Sequence, residues 1–291
     1  MKKVLFVGVF HPNSTNVAQV RAFSNNGCQA YAYDYRAKLS KFNSIQERDD
    51  NLKQIIQDLK PDITLFSKCN AMHHSVVEEA NKTGKTALWY MDALNNFDAE
   101  LIEKVKECST FICGLEGVAS EGLKYNSNTI FIDQCPDEQM NFYIPNCEKK
   151  YDSVFIGNIN SSVHSDRVTY KQLCNFTHLS GVYGLEHNQV VNETKINLGF
   201  APTDGCGTSV RAHKILAAKG FYMSTPWPGM EQTFTPGVHL ETFTSPDELN
   251  EKIEYYLAHP EERQKISEQG NAEVQQYMPL NWAKRILEHL E

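Results

Sequence analysis

Residues 197–225, NLGFAPTDGCGTSVRAHKILAAKGFYMST, contain the pattern that decides the fold: a strand, a loop, a helix and a second strand. An apolar strand over residues 195–200 precedes a loop over 201–207 that contains proline and glycine. The spacing then predicts a helix over about 208–219, which Gly220 ends. Short apolar strands joined by helices in this way are typical of βαβ units in a parallel sheet.

Two basic residues, Arg211 and Lys214, lie one turn apart near the start of this predicted helix. They lie away from the apolar face formed by Ala212, Ile215 and Leu216. A helix N-terminus favours an anion through its free N–H groups and its dipole, and two cations strengthen that preference. The pattern therefore predicts an anion site. On spacing alone, an ordinary crossover helix with a solvated Arg and Lys is an equal alternative.

The same alternation extends along the rest of the chain and predicts two α/β domains. Strands are predicted at residues 3–9, 29–33, 63–67, 86–90, 110–113 and 128–132, and again at 153–156, 178–182, 195–200, 221–224 and 238–243. Residues 135–150 interrupt the pattern with prolines and a lysine pair, which indicates an interdomain linker. We predict an N-terminal domain over 1–146, a C-terminal domain over 151–276 and a final helix over 277–291. Two doubly wound sheets of this kind face a cleft with their carboxyl-end loops.

The bulk composition narrows the class of protein. A chain of 291 residues with 41% hydrophobic content is suited to one large domain or two of moderate size. The net charge of −8 does not favour nucleic-acid binding over the whole surface. No apolar run has the length of a membrane span. The eight cysteines include no CxxC pair and lie mostly in apolar segments, which predicts buried, reduced thiols and a cytoplasmic location.

Two further candidate positions follow predicted strands, at the carboxyl ends where parallel α/β sheets bind ligands. Gly157 and Asn158 come after the strand at 153–156, and a glycine there permits close approach to a phosphate or a base. A plain tight turn explains this pair about as well. Asp92 ends the run WYMD and is placed to accept a proton from an acceptor hydroxyl. A helix-capping role is an equal alternative for Asp92.

The remaining candidates are polar residues of the first half. His11, Asn13 and Asn16 lie in the first βα loop and are candidates for contact with a sugar or an acceptor, although a polar loop with an asparagine cap is at least as good an explanation. His73 and His74 are adjacent, so on a helix they point in different directions and do not make a metal pair. The chain has no D-x-D motif. We therefore expect no metal, and positive side chains and helix dipoles would neutralise a bound diphosphate.

Several segments occur together in a recognisable order. They are FIGN (155–158), KINLGF (195–200), VRAHKILAAKGFYMST (210–225), Glu231 with Phe234, and FTSPDELNEKIEYYLAHPEERQKISEQG (243–270), with WYMD (89–92) and DQCPDEQMNFYIP (133–145) more loosely in the first half. Their order, spacing and residue types resemble the CgeB-like glycosyltransferases. The resemblance covers most of the chain and is densest in its last 140 or so residues.

This resemblance implies a GT-B fold, in which two Rossmann-like domains hold a nucleotide sugar mainly through the C-terminal one. It implies that the last helix crosses back to the first domain, and that Arg211 faces the donor diphosphate. The donor site implied in this way comprises Gly157, Asn158, Gly207, Thr208, Ser209, Arg211 and Lys214. At Lys214 the family usually has a glutamate, and a lysine cannot accept hydrogen bonds from donor hydroxyls. Lys214 could add positive charge at the phosphates instead.

The sequence therefore predicts a metal-independent glycosyltransferase that moves a hexose or pentose from a nucleoside-diphosphate sugar, such as a UDP-sugar, to an acceptor hydroxyl. Arg211 and Lys214 would stabilise the departing diphosphate, and Asp92 would be the base if the anomeric configuration inverts. The acceptor stays open among a polysaccharide, a protein, a small metabolite and a hydroxymethylated base in phage-type DNA. Two other classes are a non-catalytic nucleotide-sugar binding protein and a nicotinamide oxidoreductase. The missing glycine fingerprint disfavours the oxidoreductase.

Overall fold

The structure of the chain is a computed structural model that describes residues 1–159, 165–201, 207 and 209–290. Thr208, one of the predicted donor residues, lies outside the described residues.

The chain divides into two compact units. The first comprises Met1–Gln134 together with Pro279–Glu291, and the second comprises Cys135–Met278. The division therefore falls after Gln134, earlier than the boundary expected at 146, and the last helix belongs to the first unit.

The first unit contains a six-stranded sheet with the strand order β2-β1-β3-β4-β5-β6, in which every neighbouring pair is parallel. Its strands are β1 (Lys3–Gly8), β2 (Gln29–Asp34), β3 (Ile63–Ser67), β4 (Lys85–Tyr90), β5 (Thr110–Cys113) and β6 (Thr129–Phe131). Its helices before the second unit are α1 (Thr15–Asn25), α2 (Tyr35–Leu39), α3 (Ile45–Leu59), α4 (Ser75–Asn81), α5 (Ala99–Glu107) and α6 (Glu116–Gly122). The central strand β3 is buried along its whole length, as expected when helices cover both faces of a parallel sheet.

The second unit contains a five-stranded parallel sheet with the order β11-β10-β9-β7-β8. Its strands are β7 (Tyr151–Ile156), β8 (Thr177–Leu179), β9 (Thr194–Gly199), β10 (Tyr222–Ser224) and β11 (Glu241–Thr242). Its helices are α7 (Ser165–Leu173), α8 (Gly184–Glu193), α9 (Arg211–Ala217), α10 (Met230–Thr233), α11 (Pro246–Ala258) and α12 (Pro260–Val274). The apolar face of α9 is buried as predicted, with Ala212 and Leu216 both at 0% exposure.

The final helix, α13 (Pro279–Leu290), completes the core of the first unit. Its Trp282 ring lies edge-on to Trp89, with 5.2 Å between the ring centroids, and to Phe23, with 6.0 Å. The Asn26 side-chain amide donates to the Leu280 carbonyl (2.9 Å) and ties the start of α13 to the end of α1. The helix therefore packs with residues that precede it by more than 180 positions in the chain.

The predicted pair of parallel α/β domains is confirmed, and three local features differ from the prediction. Helix α9 begins at Arg211, later than the predicted start at 208. Helix α2 was not predicted, and Asp34 caps it by accepting hydrogen bonds from the backbone of its first turn. The segment 135–150 contains no helix or strand, but it is not a free linker. Phe142 N–H donates to the Asn188 side chain (3.0 Å), which ties the segment to α8 within the second unit.

Two bulk expectations can be compared with the described residues. The seven cysteines among them are all free thiols, and six of the seven are buried. Among the helices that the structure describes, none combines the length and the apolar character that a membrane crossing requires.

Candidate functional site

The second unit contains a cavity of about 510 Å³ at the carboxyl ends of β7 and β8. The loop that follows β8, the start of α8 and the start of α9 close its other sides. The lining residues are Ile156, Gly157, Asn158, Ser180, Gly181, Val182, Tyr183, His187, Ser209, Val210, Arg211 and Lys214. The carboxyl edge of a parallel sheet is the place where α/β folds bind ligands.

The Arg211 guanidinium is held at this cavity by contacts that leave part of it available. Its Nε donates to the Ile156 carbonyl (3.3 Å) and its Nη1 to the Ser209 hydroxyl (3.3 Å). Its central carbon lies 5.1 Å from the centroid of the Phe155 ring, in cation–π contact. A guanidinium has five N–H donors, so these bonds leave several donors for a ligand.

Two glycines and a tyrosine make room for this guanidinium. A Cβ at Gly157 would lie 2.9 Å from Arg211 Nη2 and would displace it. The buried Tyr222 hydroxyl hydrogen-bonds to Arg211, and a Cβ at Gly199 would lie only 1.8 Å from that hydroxyl oxygen. The Arg211 side chain is thus oriented by packing and by a hydrogen bond to Tyr222, which is what a preformed ligand contact requires.

The electrostatics of the cavity are positive. Burial lowers the pKa of Arg211. Burial, and then the neighbouring Arg211 charge, lower the pKa of Lys214, while Asp137 offsets part of this effect. Within the described residues no carboxylate forms an ion pair with either cation. Two desolvated cations without a paired carboxylate favour an anionic ligand.

His187 adds a neutral group beside these cations. Burial, followed by the charges of Lys214 and Arg211, lowers its pKa to about 3, so the imidazole is uncharged at neutral pH. Its Nδ1 is buried and has no hydrogen-bond partner among the described residues. The ring therefore provides an uncharged polar edge in the cavity wall.

The structure brings most of the predicted donor residues together. Gly157, Asn158, Ser209, Arg211 and Lys214 all line this one cavity. Gly207 is buried and is not among the lining residues. Sequence reasoning missed His187 and Tyr183 in the wall and Tyr222 behind it. Of these three residues, only Tyr222 has a sequence signal, which is the glycine at 199 that leaves room for its hydroxyl.

Asp92 lies in the first unit, just after β4, and forms an ion pair with Lys68. The distance from Lys68 Nζ to Asp92 Oδ1 is 2.5 Å, and both side chains are about one-third exposed. The alternative that Asp92 caps a helix is wrong, because Asp98 is the cap of α5 and accepts from the Leu101 N–H. Asp92 is thus a solvent-accessible carboxylate at the carboxyl edge of the first sheet.

Of the three polar residues predicted in the first βα loop, His11 and Asn13 lie in the loop, whereas Asn16 lies in the first turn of α1. His11 and Asn13 are exposed, and the Asn13 N–H donates to the His11 ring. Asn16 is only 6% exposed, with its side chain donating to the Val9 carbonyl (3.2 Å) and accepting from the Ser67 hydroxyl (3.0 Å). The Asn16 amide therefore holds the loop, and only His11 and Asn13 remain accessible for an acceptor.

The expectation that His73 and His74 point apart is wrong. Their ring centroids are 4.1 Å apart with the planes tilted by 33°. The expectation assumed that both residues lie within a helix, but α4 begins at Ser75, so both precede it. The two rings converge with Glu100 in a cluster of ligating groups.

Comparison with known proteins finds a family match in the second half of the chain. Residues 148–288 match the family model described as "Glycosyl transferase-like". This segment includes every residue that lines the cavity. The predicted enzyme class, a glycosyltransferase, is confirmed by this match, whereas the finer CgeB-like assignment is not. A comparison with curated protein sequences finds no significant match.

Solved structures similar to the chain share its fold across both units. HepE from Anabaena in complex with UDP-glucose aligns with 100% of this chain and 99% of its own, at 10% identity and a TM-score of 0.72. Sucrose-phosphate synthase from Thermosynechococcus elongatus aligns over 99% and 98%, at 9% identity and a TM-score of 0.69. UDP-GlcNAc 2-epimerase from Neisseria meningitidis, bound to UDP-GlcNAc, aligns over 99% of each chain, at 13% identity and a TM-score of 0.58. At these identities the likeness shows the fold alone, and the predicted GT-B fold is confirmed.

Proposed function

We propose that this chain, whose residues 148–288 match a glycosyltransferase-like family model, transfers a sugar from a UDP-sugar to an acceptor hydroxyl without a metal ion at the donor. The observation that carries the proposal is the pair of desolvated cations, Arg211 and Lys214, which line one cavity and form no ion pair with a described carboxylate. A diphosphate is the part of a nucleotide sugar that would neutralise them. Its charge rises as the glycosidic bond to phosphate breaks, so the same two side chains would stabilise the leaving group.

The chemistry of the cavity wall supports metal independence. The groups that line it are cationic, neutral or backbone groups, and no described lining residue is an Asp or Glu. A divalent cation that holds a diphosphate takes carboxylate oxygens from the protein as ligands. Arg211 and Lys214 would supply the positive charge in place of such an ion.

We infer that the loop after β8 accommodates the nucleoside. Tyr183 lies at the rim of the cavity with 65% of its surface exposed, and its ring offers a face against which a base can stack. The backbone of Gly181 and Val182 continues the same wall. The ligands of similar structures, UDP-glucose and UDP-GlcNAc, favour uracil as the base.

We propose Asp92 as the general base if the reaction inverts the anomeric configuration. It is an accessible carboxylate at the carboxyl edge of the first sheet, and Lys68 holds one of its oxygens. The ion pair would orient the carboxylate and leave its second oxygen for the acceptor hydroxyl. The free cysteines among the described residues support a reducing, cytoplasmic setting for this chemistry.

A ligand screen followed by thermal denaturation tests the donor site. We expect UDP and at least one UDP-sugar to raise the melting temperature in the presence of EDTA, because a ligand that binds only the folded state stabilises it by mass action. UMP should raise it less, since it lacks the second phosphate. If no nucleoside diphosphate stabilises the protein, or if stabilisation requires added Mg²⁺, the proposed donor site is wrong.

The resemblance to the CgeB-like glycosyltransferases implies a glutamate where this chain has Lys214. The lysine at this position favours a second candidate, a protein that binds a nucleotide sugar without transferring it. Both candidates predict stabilisation by UDP-sugars. They differ in turnover, which is measured as UDP released from the donor with candidate acceptors and with water alone. Release that is abolished by Arg211→Ala supports the transferase. Binding with no release under any of these conditions supports the binding protein.

A further inference from the structure

Three side chains of the first unit place metal-ligating atoms close together. His73, His74 and Glu100 each offer one such atom, and the three atoms lie within 4.8 Å of one another. His74 Nδ1 is 3.3 Å and 3.4 Å from the two Glu100 oxygens. A second carboxylate, Glu78, lies 3.6 Å from His74 Nε2. The cluster is partly open to solvent, since His73 is exposed and the His74 and Glu100 side chains are 26% and 36% exposed.

The backbone that carries the two histidines is fixed by carboxylates at both of its amides. The His73 N–H donates to Asp49 Oδ2 (2.9 Å), and the His74 N–H donates to Glu100 Oε1 (2.6 Å). Asp49 is itself only 1% exposed and is paired with the fully buried Arg48. Charged groups outside the segment therefore hold its backbone, while the His73 ring is held within the segment by Ser75, whose hydroxyl oxygen lies 2.9 Å from Nδ1.

The carbonyls of the preceding loop are held in the same way by buried cations. Arg48 donates to the Ala71 carbonyl (2.5 Å). Lys104, which is 0% exposed, donates to the carbonyls of Cys69 (3.1 Å) and Met72 (2.8 Å). Burying a charge costs several kcal/mol, so it is retained where it is well bonded.

The same loop contains backbone strain. Lys68 and Cys69 are consecutive and both have positive φ angles, of 60° and 52°, in the left-handed region that non-glycine residues rarely occupy. Such strain tends to gather at functional sites. Strain in the loop, together with three buried charged side chains that hold it, indicates that the positions of His73 and His74 matter for more than packing.

We propose that His73, His74 and Glu100 bind a divalent transition-metal ion, with Zn²⁺ as the best match. Two imidazoles and one carboxylate are a known ligand set for zinc, with a fourth position left open to water or another oxygen. Ligands about 2.0–2.1 Å from a tetrahedral ion lie roughly 3.3 Å from each other. The 3.3 Å between His74 Nδ1 and Glu100 Oε1 already has this value, and the ligand atom of His73 lies within 4.8 Å of both other ligand atoms. Mg²⁺ and Ca²⁺ prefer oxygen ligands and fit less well.

The neighbouring charges change the affinity of the proposed site for a cation in opposite directions. The Lys104 ammonium lies 4.0 Å from Glu100 and opposes a cation, whereas the Glu78 carboxylate beside His74 favours one. All of these groups belong to the first unit, and the donor cavity belongs to the second. The proposed metal site therefore uses none of the residues that line the donor cavity.

Calorimetric titration of the chelator-treated full chain with ZnCl₂ tests the proposal. We expect one equivalent to bind, and we expect His74→Ala and Glu100→Gln each to weaken binding at least about tenfold, which is the lower end of what loss of a supporting group costs. Glu100→Gln retains an oxygen that can accept from the His74 amide, so the backbone contact survives. Substitution with Co²⁺ should give the visible absorption of a four-coordinate site without sulfur ligands.

Matched controls separate this site from adventitious zinc binding. His239 and Glu273 form a His–Glu pair in the second unit, with 4.0 Å between His239 Nε2 and the Glu273 carboxylate. Cys147 is a half-buried thiol. His239→Ala and Cys147→Ser should leave the affinity unchanged. The proposal is overturned by absence of binding, by unchanged binding in both ligand variants, or by loss of binding in the controls. If His74→Ala lowers the melting temperature of the zinc-free protein, His73→Ala replaces it, because that side chain is exposed.

Discussion

Replacement of Arg211 by glutamine should weaken UDP binding by about a hundredfold. Of its five N–H donors, one is bonded to the Ile156 carbonyl and one to the Ser209 hydroxyl, while Tyr222 also hydrogen-bonds to the group. About two donors then remain for the diphosphate. A hydrogen bond to a charged group contributes about 1.5–3 kcal/mol, so two of them contribute about 3 kcal/mol at the low end appropriate to an open cavity. Each 1.4 kcal/mol corresponds to about a tenfold change in affinity, which gives the expected hundredfold loss.

The assay is calorimetric titration with UDP in the presence of EDTA, at two salt concentrations. The salt dependence should fall in Arg211→Gln, because one charge no longer contributes to binding. Arg263→Gln is the matched control: it is an arginine of the same unit whose pKa is also lowered by burial and which donates to the Tyr256 carbonyl, but it does not line the cavity. A change of less than about threefold in Arg211→Gln, or an equal loss in the control, would refute the reasoning.

Three further substitutions test the neighbouring groups. Gly157→Ala puts a Cβ 2.9 Å from Arg211 Nη2, so the UDP affinity measured by titration should fall about tenfold. The control is Gly237→Ala, which has a positive φ and open space around it and should affect only the stability of the fold. Asp92→Asn should lower the kcat of sugar transfer about a hundredfold or more and leave the UDP affinity unchanged. An unchanged kcat would show that Asp92 is not the general base. His187 has its pKa lowered to about 3 in the folded protein, so below pH 6.5 the unfolded chain binds a proton that the folded chain does not. Stability is therefore lost as the pH falls from 6.5 towards 3, by about 2 kcal/mol between pH 6.5 and 4.5. Urea unfolding of His187→Phe should lack this component, and the same pH dependence in both proteins would contradict the assignment.

The features that could be predicted from the sequence are those set by local patterns. Apolar runs such as Ile63–Ser67 gave strands at the right positions, because a strand covered on both faces needs consecutive apolar residues. Ser245 and Glu248 have the spacing of a capping box, and at the start of α11 the Glu248 N–H donates to the Ser245 hydroxyl (3.2 Å). The convergence of Arg211 with Gly157 also followed, since both come from carboxyl ends of neighbouring strands in one sheet.

The features that could not be predicted depend on contacts between distant residues. The partner of Asp92 is Lys68, and nothing in the chain between them indicates the pairing, which arises because β3 and β4 are neighbours in the sheet. Asp49 and Lys104 fix the loop that turns His73 towards His74, and they lie on two different helices. A helical spacing rule applied to residues just before a helix therefore gave the wrong direction for their rings.

The buried and desolvated cations of the two units have different surroundings, and this difference favours the cavity of the second unit as the ligand site. In the first unit Arg48 and Lys104 are fully buried, and each bonds to backbone carbonyls that it holds in place. In the second unit Arg211 and Lys214 are also desolvated, but they line an open cavity, and the Arg211 charge lowers the pKa of Lys214. Two such cations repel each other, and this repulsion adds to the cost of their desolvation. Placing them together therefore does not stabilise the folded state unless an anion neutralises them. Arg48 and Lys104 therefore serve the scaffold, whereas the arrangement of Arg211 and Lys214 favours the proposed diphosphate as their ligand.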